Sequence, residues 1–250
     1  MGEFELIARI RAAARKAGAE QGPEIVVGIG DDAAVVRPKA GEDLVWTVDD
    51  QVEGIHFRRR WARPRDIGTK AVGAALSDLA AMGARPVGCL FAIQIPPELR
   101  DEEVVELADG LCSALARQRC PLVGGNVASR PGATGLSLSL SAIGAVRRGQ
   151  AFLRSGARAG DILMMSGLPG LARAGMLALE RGLTRGPLAP AIDRFLRPEP
   201  RIELGLALAK KKSGRPSAVM DVSDGLAGDA AKLAAASGLG AVIEQERLPL

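Results

Sequence analysis

The chain has 250 residues, 47% hydrophobic and 25% charged, with 31 Gly and 15 Pro, the composition of a globular protein able to bury a full core rather than of a disordered, collagenous or coiled-coil chain. Its 33 basic residues exceed its 29 acidic ones for a net charge of +4. The densest basic runs, Arg58-Arg59-Arg60 and Lys210-Lys211-Lys212, are short, and 3% aromatics with no Tyr leave few platforms for base stacking, so no nucleic-acid partner is expected.

In chain order, the N-terminus MGEFELIARI carries acid early. No uncharged apolar run approaches the roughly 20 residues of a membrane span, so no membrane partner is expected. Strands are expected at 24–29 and 43–48. A helix over 66–82 places Val72, Ala75, Leu76, Leu79 and Ala80 on its buried side, with Gly83 ending it in the left-handed conformation. A strand at 87–95 precedes a helix over 101–116, whose start, Asp101-Glu102-Glu103, complements the helix dipole. A shorter strand at 121–123 and an alternating one at 135–146 follow.

The Arg- and Gly-rich segment 147–161 breaks the apolar pattern and divides the chain into units 1–148 and 149–250. In the second unit a strand is expected at 161–165, a helix at 168–181, a Pro-rich crossing at 182–200, helices at 201–211 and 226–237, and the start of a strand at 241–244. A two-stranded sheet rarely stands alone, so this unit is expected to be completed by another subunit or by further chain. The fold class is mixed α/β, of the α+β kind.

Cys89, Cys112 and Cys120 form no Cys-x-x-Cys pair, which argues against a disulfide framework or structural zinc and fits a cytoplasmic protein. Cys89 and Cys112 lie in apolar contexts that favour burial over nucleophilic use. The polar residues set against apolar strands are mostly carboxylates: Asp31 and Asp32 in GIGDDAAV, Asp49, Asp50 and Glu53 in TVDDQVEGIHF, Asp78 in LSDLAAMG, and Asp221 and Asp224 in MDVSDGLAGD. Carboxylates brought together repel unless cations hold them, and hard oxygen donors favour magnesium or calcium. If these segments converge, they form a magnesium and phosphate site.

Each motif also has a structural explanation. Gly28-Ile29-Gly30-Asp31-Asp32 can be a tight turn, Asp78 a solvent-facing helix residue, Ser223 or Asp224 an N-cap, and His56 an incidental histidine. Their joint occurrence is what favours the site. The chain has no Gly-x-x-x-x-Gly-Lys-Ser/Thr loop, and Gly28-x-Gly30 lacks a third glycine, so a nucleotide would be held through metal ions, backbone amides and arginine.

The segments GIGDDAAVV, TVDDQVEGIHF, IGTKAVGAALSDLAAMGARPVG, LVGGNVASRPG, FLRSGARAGD and MDVSDGLAGDAAKLA resemble, in this order, the thiamine-monophosphate kinase family. That family shares a superfamily with aminoimidazole ribonucleotide synthetase, selenophosphate synthetase and a hydrogenase maturation protein. The resemblance implies ATP-dependent phosphorylation of thiamine phosphate to thiamine diphosphate at several Mg2+ ions. It also implies a homodimer whose N-terminal units close a barrel across the interface.

By the same resemblance Asp31, Thr47, Val48, Asp49, Asp78, Asn126, Asp221 and Asp224 match metal positions, with Val48 contributing through its backbone carbonyl. Gly125, Asn126, Arg154 and Ser223 match nucleotide contacts, and His56 matches a substrate contact; no general base is implied. Asn126 stands where the family has an aspartate, and Val48 where it has a hydroxyl residue. The chain stops at Leu250 before the family's Gly-Gly-Glu-Asp-Tyr type segment, so the second domain is expected to be incomplete. The alternatives are a catalytically impaired nucleotide-binding relative and a superfamily ATP-dependent enzyme with another acceptor.

Overall fold

The computed structural model describes residues 2–129, 132 and 135–248. Arg130 and Pro131 of the LVGGNVASRPG segment, and the terminal Leu250, lie outside them. Helix α1 (Glu3–Ala17) opens the fold and was not foreseen from its acidic start. It buries Leu6, Ile10, Ala13 and Ala14, a helical spacing, and stops at Gly18, whose left-handed backbone lets its N–H reach the carbonyls of Ala14 and Arg15.

Strands β1 (Ile25–Val27) and β2 (Val35–Val36) form a small antiparallel pair. Next come β3 (Glu42–Val52), α2 (Pro64–Ala81), β4 (Arg85–Ile95), α3 (Asp101–Arg117), β5 (Leu122–Ser129) and β6 (Ser137–Arg147). The expected helices and strands of this half are present, but β5 runs six residues beyond the expected 121–123. Its glycines do not break it, because each residue from Gly124 to Ser129 pairs in parallel with β4. An added Cβ on Gly125 would stand 1.9 Å from the Phe91 carbonyl oxygen, so this close approach requires glycine.

The four long strands form one sheet in the order β3-β6-β4-β5, antiparallel except for the β4–β5 pair, which α3 connects. Helices α1, α2 and α3 cover one face and build the main core with Leu76, Leu79, Leu107, Leu111, Leu115, Phe91, Leu138 and Leu140. The other face is open. On β3, Leu44, Trp46 and Val48 point outward, Trp46 with 69% and Val48 with 64% of its surface exposed. The Trp46 indole donates to Ser141 Oγ at 2.6 Å along that face.

The second half contains α4 (Leu171–Glu180), α5 (Ala189–Leu196), α6 (Ile202–Ala209) and α7 (Leu226–Ala235), with a single 3-10 turn at Gln245–Arg247. Three expectations are corrected here. Residues 161–165 and 241–244 are coil rather than strand, since among the described residues no sheet edge pairs with them. The crossing 182–200 is not irregular throughout, because α5 forms within it and buries Ala191, Ile192 and Leu196. A minor core of Ala178, Leu179, Ile192 and Leu196 is closed by Trp61, Ala62 and Phe195. No described helix is long and apolar enough to cross a membrane.

Candidate functional site

Alternation along β3 turns Val45, Thr47, Asp49 and Gln51 toward the helix layer, where α2 crosses above them. Thr47 Oγ1 donates to Asp78 Oδ2 at 2.5 Å, tying strand to helix. Asp49 accepts from Gln51 Nε2 at 2.8 Å. Burial raises the pKa of Asp49 from its ordinary value, and the nearby charge of Asp78 adds to the rise against the pull of Gln51.

The second half supplies Asp221, half-buried beside Met165, Met220 and Leu226. Its pKa is also raised, first by burial and then by repulsion from Asp78, with Arg154 partly offsetting the effect. Thr47, Asp49, Asp78 and Asp221 are thus brought into one electrostatic neighbourhood, with Arg154 at its edge.

His56 is exposed in the turn after β3, where Gly54 N–H bonds the Phe57 carbonyl at 2.8 Å. Its Nδ1 accepts from the Val52 amide at 3.0 Å. The neutral ring therefore carries its proton on Nε2, which is left to face solution.

Other sequence-derived residues fall elsewhere. Asp31 is exposed and accepts from the neighbouring Asp32 amide at 2.9 Å, with no bond to the other carboxylates. The Val48 side chain lies on the open face. The sheet register aligns Asp49, Leu140, Phe91 and Gly125 in one row and Asp50, Ser139, Ala92 and Asn126 in the next. Because adjacent rows face opposite sides, Gly125 shares the face of Asp49 while Asn126 stands on the open face, in the row of Asp50 and Ser139 but three strands away from Asp50.

Ser223 and Asp224 form the exposed loop after Asp221. The residue organising that loop is Asp229, whose buried Oδ2 accepts from the amides of Ser223, Asp224 and Gly225 at 2.9 to 3.1 Å. Burial would raise its pKa, but Lys232 and these amides overcome that and hold it low. Lys232 also pairs with Asp224. Sequence reading passed over Asp229, although an Asp one turn into a helix after an Asp-Gly turn is the available signal. It also missed buried Gln51 and half-buried Lys70, neither of which carries a site signal of its own in the sequence.

Among the described residues, no three His, Cys, Asp or Glu side chains close around a single metal position. The donor chemistry nevertheless fits a hard divalent cation: Asp49, Asp78 and Asp221 are oxygen donors, and Asp78 repels each of the other two, with Arg154 only partly offsetting this at Asp221. Burial pushes the thiols of Cys89 and Cys112 up to about 12 and that of Cys120 well above its ordinary value, so none is a poised nucleophile.

The profile described as AIR synthase related protein, N-terminal domain, matches residues 30–146, and that of the C-terminal domain matches residues 158–250. The thiamine-monophosphate kinase of Synechococcus elongatus is 40% identical over 225 residues, covering 88% of this chain and 68% of that relative. The crystal structure of thiamine-monophosphate kinase from Stenotrophomonas maltophilia superposes with a TM-score of 0.80 at 39% identity, over 95% of this chain and 73% of that one. A structure of AaThiL complexed with AMPPCP and TMP gives a TM-score of 0.72 at 33% identity, over 95% and 71% of the two chains.

Proposed function

As the chain belongs to the thiamine-monophosphate kinase family, we propose that it transfers the γ-phosphoryl group of ATP to thiamine phosphate, giving thiamine diphosphate and ADP. The observation that carries this reading at the level of residues is the meeting of Asp49 and Asp78 from the first half with Asp221 from the second. A relative complexed with AMPPCP and TMP supports the pairing of a nucleotide with thiamine phosphate.

The acceptor is a phosphate monoester, largely ionised near neutral pH, so it attacks without a general base. The task left to the protein is to align two anions and neutralise them. Thr47, Asp49, Asp78 and Asp221 would hold magnesium, which when bound screens and bridges phosphate oxygens. Thr47 keeps Asp78 turned toward the strand. Arg154 brings a fixed positive charge to the nucleotide side, and Gly125, on the sheet face of Asp49, is the assigned backbone contact to the nucleotide. His56, its ring oriented by the Val52 amide, offers Nε2–H to the acceptor. Asp31, Val48, Asn126, Ser223 and Asp224 complete the assignment, with Ser223 and Asp224 displayed by the Asp229 clamp.

A homodimer is part of the same proposal. The open face with Leu44, Trp46 and Val48 supports it, because a monomer seldom leaves such an apolar stripe in water. Replacing Trp46 with Asp should convert a dimer to monomer in sedimentation; an unchanged mass would count against this face.

The kinase reading is tested by thiamine diphosphate formation with ATP, thiamine phosphate and magnesium, each omitted in turn. Product that requires all three supports it. Magnesium-dependent ATP binding without product would favour the impaired relative, for which the outward Asn126 is the motivating observation.

A further inference from the structure

Two groups that stand out in the sequence take no part in the site described so far: Glu53 of the carboxylate set and the basic run Arg58-Arg59-Arg60. In the fold they meet. The arginines divide, for the guanidinium carbons of Arg58 and Arg60 lie 5.1 and 5.7 Å from the centre of the Trp61 ring, whereas Arg59 turns back to Glu53. Its Nε–H is shared between both carboxylate oxygens, each at 2.9 Å, and its Nη2 donates to Glu98 Oε1, just ahead of α3, at 2.9 Å.

Glu53 is also tied to the start of β6. Its amide donates to the Leu136 carbonyl at 2.9 Å, and its Oε2 accepts from the Leu136 amide at 3.1 Å. The last β3–β6 pair is Val52 with Ser137, so these two bonds take the place of the next rung, the carboxylate standing in for the Glu53 carbonyl. The Glu53 side chain is 20% and that of Arg59 30% exposed, which shields their charge pair from the screening that weakens surface pairs.

Glu53 and Arg59 bracket the turn that carries His56. Within it Phe57 is buried, and its carbonyl accepts from the Gly54 amide. The His56 amide returns to the Val52 carbonyl at 2.9 Å while its Nδ1 accepts from the Val52 amide at 3.0 Å. The ring is exposed, so its orientation depends on the base of this turn staying closed.

We propose that Glu53 is a positioning residue for thiamine phosphate, its carboxylate clamped between Arg59 and the Leu136 amide so that the turn is closed and His56 presents Nε2–H in one direction. The carboxylate is thereby occupied by protein donors rather than by magnesium. The assignment rests on the kinase reading and its use of His56 for its consequence, and on the hydrogen bonds around Glu53 for its geometry. A contact oriented before the substrate arrives lowers the ordering cost of binding, so its loss falls on KM for thiamine phosphate and spares ATP.

The test compares Glu53→Ala with Arg59→Met, which leaves Glu53 its bond to Leu136. Glu53→Ala is expected to raise KM for thiamine phosphate at least about fivefold, with kcat and KM for ATP each within about twofold of the parent. Arg59→Met is expected to move the same constant in the same direction by less. A KM for thiamine phosphate within about twofold of the parent in Glu53→Ala overturns the proposal, and so does an equal rise for ATP, which marks general loosening. A double-mutant cycle isolates action through the histidine: in a His56→Ala background Glu53→Ala is expected to add less than about twofold, and the full effect again would overturn it.

A second readout needs no turnover. Hydrogen exchange at the Val52 amide, whose acceptor is His56 Nδ1, is expected to quicken at least about tenfold in Glu53→Ala while the amides of α2 keep their parent rates. A Val52 amide as protected as in the parent overturns the assignment, as does quickening that spreads through α2. If the parent chain makes no thiamine diphosphate, the kinase reading fails while this measurement still decides whether Glu53 orders the turn.

Discussion

The first half of the molecule and the second are built on different terms. Up to Arg147 every long strand has a neighbour and three helices seal one face of the sheet, so that Leu76, Leu79, Leu111, Leu115 and Leu140 lose essentially all contact with water. Beyond it, α4 and α5 pack around a minor core of four buried side chains and α6 joins the main core through Ile202, while Ile162, Met164 and Val242 stand 86 to 88% exposed. The difference teaches where the site gets its rigidity. Asp49 and Asp78 sit on a self-supporting layer, whereas Asp221 sits on a part of the chain oriented largely by the seam where α5 and α6 meet α2.

The comparison is broken most severely at Asp78, which faces both sides. Asp78→Asn should lower turnover about 100-fold or more, yet leave the melting temperature nearly unchanged, because it relieves repulsion on Asp49 and Asp221 as it weakens the Thr47 bond. Kinetics and a thermal melt on one sample check both halves of that statement.

Cavity mutants sharpen the contrast in stability. Leu76→Ala, in the sealed core, should cost about 3 to 5 kcal/mol in denaturant unfolding. Leu179→Ala, in the minor core, should cost about 2 kcal/mol or less, since its surroundings can collapse. Equal costs would mean the two cores are not different in kind.

The seam has its own pH signature. Burial would raise the Asp66 pKa, but hydrogen bonds from Arg197 and Arg63 outweigh it and hold the carboxyl below 3.8. A depressed pKa contributes stability that is present above the ordinary value and lost as pH falls through it toward the folded one. Asp66→Asn should therefore flatten the acid limb of a melting-temperature profile below about pH 4 and lower the plateau above it. The smallest effect belongs to the exposed coil: Met164→Ser should change stability by less than about 0.5 kcal/mol.

Legibility followed the same division. In the first half a strand or helix declares itself through the face it buries, and the alternation 135–146 and the stripe Val72, Ala75, Leu76, Leu79 correspond to β6 and α2. Helix α1 went unread because charge masks its four buried positions. In the second half, 161–165 and 241–244 have strand-like residues, but pairing is a tertiary property that composition cannot supply. For the site, residue type pointed to Asp49, Asp78 and Asp221, of which Asp78 lies within the charge field of the other two, and equally to Asp31, which stands apart; Thr47 came from the family resemblance. The position of Asn126 depended on strand register, where a shift of one residue reverses the face. Asp229 and Gln51 act through burial, which a single letter does not reveal.

The most direct measurement follows the phosphorus atom itself, using ATP labelled in its γ-phosphoryl group with thiamine phosphate and magnesium, for the parent chain and Asp78→Asn side by side. The account predicts label in thiamine diphosphate from the parent and almost none from the variant, with both proteins equally folded. Label retained in ATP by the parent, or passed to product equally well by the variant, would contradict it.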